Sequence, residues 1–593
     1  MAAPRPESPY RRATALLAAG RGDEAVAVMQ AAYAALPHQP EIRARLALVC
    51  WEADHLDDAR EHAVAVLAAD PDNASALAAR GLVAYARGDY ADACVDLDRA
   101  TAARPDFVAA HVYAGLARAA LGDDDAALAA LDRALFLRPG HANARFSRAL
   151  QWLRRGWYDR GWPEYEWRWA TGQLQRPDIP RPRWDGRPLA GRRILVHGEQ
   201  GIGDSLQFVR FLPRLAEQGA HVVFACKESL RPLFERTPGI DEWFPIDRPA
   251  PPDFDVYTPI GSLPGLLGID ETTMAAEIPY VFPDPMRVDA WRSRVTGLPG
   301  LRVGVAWQGS PTFLGDHLRS IPLRHFAPLA IDGVTLVSLQ KGFGEEQVAE
   351  VAATVPLTVL DGLDADGATM MDTAAVMQHL DLVITSDTAI AHLGGSMGVP
   401  TWVALAYSPD WRWQRVRVDS PWYPSLRLFR QPAFADWEGV FAAMAGALRE
   451  RIAGVPDPGA PPAGAPAVTV PVSPGELFDR ITILRIKAAR VVDAEPRAHV
   501  TRQLESLERV AAAAYRSAPE LTRLVAELRA INEALWDVED AVRRCEAAGD
   551  FGPDFVALAR SVYLTNDRRF ATKAAIDAHL GTAFSEVKSY AGP

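Results

Sequence analysis

At 593 residues the chain is too long for one hydrophobic core and predicts about three or four domains. A hydrophobic fraction of 49% with 23% charged residues reads as globular, and a net charge of −12 argues against a general nucleic-acid binder, which needs phosphate-neutralising Lys and Arg. Cys50, Cys94, Cys226 and Cys545 stand far apart with no CxxC pair, which excludes a zinc ribbon and argues against a disulfide framework.

The stretch from Met1 to Arg12 carries Pro and Arg without an apolar segment, so no signal peptide is expected. No run of about 18 apolar residues occurs, so no membrane span is expected and the cytoplasm is the expected compartment. The next signal is self-similarity. Pro37, Pro71, Pro105 and Pro139 recur every 34 residues, and Ala25, Ala59, Ala93 and Ala127 keep the same period. Gly20, Gly88 and Gly122 each stand five residues before one of these alanines, with Asp54 in the fourth place; Gly81 and Gly115 add a further position. The small Ala lets paired helices approach, the Gly makes the turn and the Pro ends the second helix. This helix–turn–helix period resembles that of tetratricopeptide repeats. The resemblance implies a groove for a protein partner or acceptor; the alternative is an oligomerisation or spacer module. A degenerate unit with Gly156 and Tyr158 in phase runs into the aromatic stretch Gly161–Trp169, expected to cap the array near residue 172 and pack it on the next domain.

Residues 185–290 predict a first Rossmann-like lobe. Ile194–Val196 reads as a strand, His197–Asp204 as a glycine loop and Ser205–Leu215 as an amphipathic helix. Gly198, Gly201 and Gly203 permit close backbone approach, and the loop amides with the helix start make an anion site. The spacing is not GxGxxG, so no dinucleotide fingerprint is met, and a purely structural turn stays open. His221–Ala225 and Phe254–Tyr257 continue as strands, with a helix over Ser229–Arg236.

Residues 300–452 predict a second lobe, with strands at Arg302–Trp307, Val334–Leu339, Leu380–Thr385 and Thr401–Leu405. Ligands in open α/β sheets bind beyond the carboxyl ends of strands. Ser386, Asp387 and Thr388 hold such a place and open a helix, with His392 one turn on. Asp387 alone reads equally as an N-cap. Trp307, Gly309, Arg319 and Lys341 follow other strands. Asp364-Ala-Asp366 imitates a DxD metal motif but is flanked by glycines and follows no long strand, so no metal is expected.

Ser386–Pro400 resembles the nucleotide-sugar loop of heptosyltransferase-like glycosyltransferases. His197–Phe211 resembles the opening motif of their first lobe, and Ala306–Ser310 through Arg319–Pro322 the start of their second. The resemblance covers about residues 190 to 450. It implies a GT-B fold, with an acceptor-side first lobe and a donor-side second lobe, inverting transfer and no metal. Joined to tetratricopeptide repeats, such a unit resembles bacterial protein glycosyltransferases, including those that modify flagellin on Ser and Thr. The heptosyltransferases have no repeat array, which puts lipopolysaccharide heptose transfer in doubt. The resemblance implies a nucleotide-sugar donor, with CMP-linked nonulosonic acids among the sugars such enzymes use. Nothing in these residues names the sugar or the base.

Inverting transfer needs a base for the acceptor hydroxyl and charge stabilisation for the departing phosphate. Asp204 is the candidate base on the resemblance, its other reading being a helix cap. His197 is the second candidate, its other reading a hydrogen-bonded structural His. Gly201, Gly203, Trp307, Gly309, Arg319, Lys341, Ser386, Asp387, Thr388 and His392 are the candidate donor-binding set. Trp307 and Tyr407–Trp413 read either as stacking platforms or as packing. An acceptor on a glycan or lipid, and a non-catalytic repeat adaptor, are the alternatives to a protein acceptor.

Residues 453–469 read as a Pro/Gly/Ala linker. Residues 470–593 then predict an α-helical module, with helices near Leu477–Val491, Ala498–Ser517, Leu521–Ala547 and Phe555–Leu580. It resembles a bacterial helical domain of unknown function. Ser473-Pro474 reads as an N-cap with Pro at the first helical position. Thr565–Arg569 is a polar cluster that reads as charged helix surface or as a site.

Overall fold

The structure is a computed structural model and describes residues 8–199, 201–246, 248, 253–274, 278–313, 315–367, 369–454, 473–490, 518–548 and 550–581, with isolated positions between 497 and 515. The chain divides into two compact units, Met1–Gly464 and Ala465–Pro593.

The first unit opens, among the described residues, with helices in antiparallel pairs: α1 Pro9–Ala18, α2 Gly22–Ala35, α3 Pro40–Glu52, α4 Leu56–Leu67, α5 Ala74–Arg87, α6 Tyr90–Ala103, α7 Val108–Ala120, α8 Asp124–Leu137, α9 Ala142–Arg154 and α10 Tyr158–Tyr165. The turn inside every pair is left-handed at the same repeat position: Gly20, Asp54, Gly88, Gly122 and Gly156 all have φ between 64° and 85°. Glycine adopts this conformation without cost, and Asp is among the few side chains that tolerate it. Ala25, Ala59, Ala93 and Ala127 are fully buried between paired helices. A Cβ at Gly81 would lie 2.9 Å from Leu97 Cγ, and one at Gly115 2.9 Å from Leu131 Cγ. The repeating glycine is therefore a point of close helix approach.

Two parallel sheets follow. The first comprises β1 Arg193–His197, β2 His221–Cys226, β3 Glu242–Pro245 and β4 Val256–Pro259, in the order β3-β2-β1-β4. The second comprises β5 Leu301–Ala306, β6 Val334–Ser338, β7 Leu357–Thr358, β8 Leu382–Ser386, β9 Thr401–Leu405 and β10 Leu426–Arg430, in the order β10-β9-β8-β5-β6-β7. Read from β7, this is the doubly wound order of a Rossmann fold, and the first sheet is the same arrangement cut to four strands. All ladder pairs are parallel. The two lobes have the architecture of a GT-B unit. The helix expected over Ser205–Leu215 is broken: α11 Ile202–Phe208 passes through the 3-10 turn Val209–Phe211 into Leu212–Glu217, where Pro213 cannot donate into a continuous helix. Helix Pro285–Thr296, which spans the expected first-lobe limit at 290, packs on second-lobe helix Met371–Met377: Arg287 pairs with Asp372 at 2.8 Å and His379 lies 2.7 Å from Val288 O.

The array is fixed to both lobes. Arg154 of α9 bonds Asp124 of α8 at 2.5 Å, and second-lobe Arg415 reaches the same carboxylate at 3.0 Å. Ser408 Oγ donates to Ala119 O at 2.6 Å. In α10, Trp162 meets Trp411 of the second lobe edge-on at 5.4 Å and donates its indole N–H to Ile269 O of the first lobe at 2.7 Å.

In the second unit, helix Pro474–Arg490 starts with Pro at its first position, and Ser473 Oγ accepts from Glu476 N at 3.2 Å. Helices Pro519–Ala548 and Pro553–His579 pack around Leu521, Leu524, Leu528 and Ile576. Buried Asp479 binds Arg569 at 2.5 Å and accepts from Asn532 at 2.9 Å, so this member of the polar cluster is an inward structural partner. The helix expected at 498–517 lies mostly outside the described residues. Among the described residues no helix is long and apolar enough to cross a membrane.

Candidate active site

In both sheets the strand order reverses beside the central strand, which opens a crevice beyond the carboxyl ends of β1 with β4, and of β5 with β8. Each crevice holds a strand–loop–helix turn, glycine-rich in the first lobe and Ser386-Asp387-Thr388 in the second, and the first touches the helix that opens from the second. A Cβ at Gly203 would lie 2.9 Å from Cδ2 of His392 and 3.8 Å from Cα of Ala389. Glycine at 203 thus lets the start of α11 touch helix Ala389–Met397. Within that helix, a Cβ at Gly395 would collide with the Tyr423 ring, so the small residues serve packing on both sides.

On the second-lobe side, Ser386 is fully buried at the end of β8 and its Oγ has no hydrogen-bond partner. Thr388 caps the helix in extended conformation, with no side-chain bond to the first-turn N–H groups. Such N–H groups attract anions. Arg319 Nη1 donates to Asp387 O at 3.1 Å and Nε to Asp316 Oδ1 at 3.1 Å. A Cβ at Gly309 would stand 2.8 Å from Arg319 Nη2, so glycine there makes room for the guanidinium. His392 Nδ1 lies 2.9 Å from Tyr423 OH, and burial holds its pKa well below the usual imidazole range. Burial, then the neighbouring Asp410 carboxylate, push Asp387 up to about 6. The structure thus gathers Gly203, Gly309, Arg319, Ser386, Asp387, Thr388 and His392. Trp307 and Lys341 serve elsewhere. The Trp307 indole is fully buried in the second-lobe core and donates to Gly344 O at 3.2 Å, so it offers no face for stacking. Lys341 is on the surface, 3.3 Å from Glu345.

On the first-lobe side, Asp204 does two things at once. Its Oδ2 accepts from Gly201 N at 3.0 Å, as a cap, and its Oδ1 accepts from Arg412 Nη2 of the second lobe. Burial pushes its pKa up while Arg412 pulls it down. Gly198 N is turned to Ala225 O at 2.8 Å, so Gly198 and Gly201 both spend their amides inside the protein rather than on an anion. His197 is buried; Nδ1 lies 3.3 Å from Gly198 O, Nε2 has no partner, and burial lowers its pKa to about 4. It is therefore neutral near pH 7.

Three further residues escaped sequence reasoning. Arg412 binds Asp204, donates through Nε to Gln207 Oε1 and through Nη1 to Asp410 at 3.0 Å, bridging the lobes. Gln207 is fully buried, and its Nε2 has no partner. Glu199, in the glycine loop, receives two bonds from Arg168 of the repeat cap at 2.8 and 3.0 Å. The available signal was the repeated triplet Trp167-Arg168-Trp169 and Trp411-Arg412-Trp413. Tryptophans tend to pack inside and can draw the arginine between them inward, and a buried guanidinium needs a carboxylate. Asp364 accepts from Asp372 N at 2.7 Å, and Asp366 pairs with Arg287, so the DxD look-alike is a turn.

A family model described as tetratricopeptide repeat matches residues 16–82, and a second matches residues 96–142. Protein FlbA of Caulobacter vibrioides is 31% identical over 342 residues, covering 52% of this chain and 55% of FlbA, so the chain spans about half the length of that curated relative. A tetratricopeptide-repeat protein of Thermus thermophilus is 24% identical over 28% of this chain and 90% of its own, with a TM-score of 0.25. A glycosyl transferase family 9 structure from Veillonella parvula is 16% identical over 42% of this chain and 88% of its own, with a TM-score of 0.32. The N-terminal helical hairpins, over the residues these models match, are tetratricopeptide repeats.

Proposed function

We propose that the chain is an inverting, metal-independent glycosyltransferase. It moves a sugar from a nucleotide-activated donor to a Ser or Thr hydroxyl of a protein presented by the repeats. The observation that carries this reading is the contact, through Gly203, of the first-lobe glycine turn with the helix that opens at the carboxyl edge of the second parallel sheet, with a carboxylate on one side and uncapped helix N–H groups, Ser386 and Arg319 on the other. Phosphate on the second-lobe side would be met by that helix start and by the guanidinium. Asp204 would take the proton from the acceptor hydroxyl; it has one bond to each carboxylate oxygen, so lone pairs remain. The sugar–phosphate bond breaks as the new glycosidic bond forms on the opposite face, and the phosphate leaves with the electron pair.

The test is calorimetric titration with UDP-, GDP-, ADP- and CMP-sugars, followed by mass spectrometry of secreted proteins, flagellin first, from a deletion strain. Binding of one nucleotide class and loss of a glycoform are expected. A chain that binds none of them is an adaptor.

A further inference from the structure

The loop that presents Asp204 is held at both ends by arginines from outside its own lobe. At the Asp204 end the partner is Arg412, already part of the site. At the other end it is Arg168, which belongs to the repeat cap and is 1% exposed. Arg168 Nε and Nη2 bind the two oxygens of Glu199, Nη2 also reaches Ser262 Oγ at 2.7 Å, and Nη1 binds Glu166 at 2.9 Å and Tyr165 O at 3.3 Å. Glu199 closes the arrangement by accepting from Gly261 N at 2.6 Å, beyond the end of β4. The guanidinium lies against the rings of Tyr165 and Trp169, each at 4.8 Å. A fork with its donors engaged and its faces covered has one orientation.

We propose that Arg168 is a positioning residue: through Glu199, the last repeat unit sets the loop that carries Asp204. On this view the array is a working part of the catalytic site rather than a detachable tether for the acceptor. The proposal rests on the reading of Asp204 as the base. Glu199 lies five residues before Asp204, so a shift at one end displaces the carboxylate at the other, and misplacement by about 1 Å costs about 100-fold in rate.

The experiment compares Arg168→Ala, Arg168→Lys, Glu199→Gln and the Arg168→Ala/Glu199→Gln double variant in the full chain. Three readouts are taken: affinity for whichever of UDP, GDP, ADP and CMP the wild type binds, kcat and KM for release of sugar from the matching nucleotide sugar, and hydrogen exchange at the amides of Gly201–Leu206. Expected are nucleotide affinity within about twofold of wild type, kcat lower by about 100-fold with KM little changed, faster exchange in Gly201–Leu206, and a double variant no worse than the worse single one. Arg168→Lys keeps the charge without the fork and is expected to recover only part of the rate. Wild-type kcat in Arg168→Ala, or nucleotide affinity falling as far as kcat, overturns the proposal. If the wild type binds no nucleotide, the glycosyltransferase reading fails instead, and unchanged exchange in Arg168→Ala then overturns the clamp by itself.

Discussion

Asp204 and Asp387 are carboxylates that burial pushes up in pKa, and they share two charged neighbours, Arg412 and Asp410. They differ in their bonds: Asp204 is paired with Arg412 across the lobes, whereas Arg319 meets Asp387 at its backbone oxygen and, after burial, Asp410 is the main influence on its carboxylate. Asp204→Asn keeps the cap on Gly201 and the volume. It is expected to lower transfer by about 10²–10⁴-fold while nucleotide affinity, measured by titration, stays within about twofold. Unchanged turnover would remove Asp204 as the base. Asp387 makes a pH-dependent prediction. Its folded-state pKa, about 6, lies above the ordinary carboxyl value, so the folded chain binds that proton more tightly than the unfolded chain does. The stabilisation is present below the unfolded pKa and fades as pH rises through about 6. Asp387→Asn should therefore raise Tm at pH 7.5 by about 2 °C and leave it unchanged at pH 4. An equal shift at both pH values would show that the aspartate's charge carries no such cost. At this scale the sequence singled out Ser386 through His392 by local pattern, and the structure brings them to the crevice beside Gly203 and Arg319. The Trp411-Arg412-Trp413 triplet marked a buried cation but not its partner Asp204, because 208 residues separate the two and no periodicity links them.

The strands that sequence reasoning found and missed follow a physical line with one exception, the edge strand β4, which was legible as Phe254–Tyr257. Central strands β1, β2, β5, β6, β8 and β9 are buried apolar runs, and each was legible as one. The described strands that went unread, β3, β7 and β10, are all sheet edges. An edge strand has one neighbour and mixes polar residues into its run, as in Leu426-Arg-Leu-Phe-Arg430, so the continuous apolar signal is lost. The repeats were legible for the opposite reason, since one packing constraint is written several times. Gly81 and Gly115 stand where a side chain would meet Leu97 and Leu131. Gly81→Ala or Gly115→Ala should cost about 1–3 kcal/mol by overpacking, despite the better helix propensity of Ala, and should appear as a lower urea midpoint. Gly20→Ala meets no atom within 4 Å, but its φ of +73° penalises any Cβ. A loss of similar size there would have a backbone cause, separable because Gly20→Asn, with the Asp-like tolerance seen at Asp54, should recover part of it.

At the scale of the molecule, the division at residue 464 separates two self-contained cores. The first unit binds its array to both lobes with buried polar contacts: Arg154 with Asp124 and Arg415, Trp162 with Ile269, and Arg168 with Glu199. The stretch Gly161–Trp169 was legible as a cap packed on the next domain, but the partners were not, because each contact joins elements whose separate patterns are complete without it. The second unit has its own apolar cluster and its own buried pair, Asp479 with Arg569. A protein so built should melt in two steps. Calorimetry of the full chain is expected to show two transitions, and a chain ending at residue 464 should keep one of them within about 2 °C, together with full nucleotide affinity. Within the first unit the contrary holds: a chain beginning after residue 170 removes Arg168 and the α10 aromatics and leaves Glu199, whose side chain is 2% exposed in the intact protein, without its cation. The same cut uncovers the apolar surface of Trp411 that Trp162 and Tyr165 bury, at a cost of about 25 cal/mol per Å². The lobes alone should thus be less stable than the lobes with their array, and a single transition that does not move on removal of residues 1–170 would show the array to be an appendage after all.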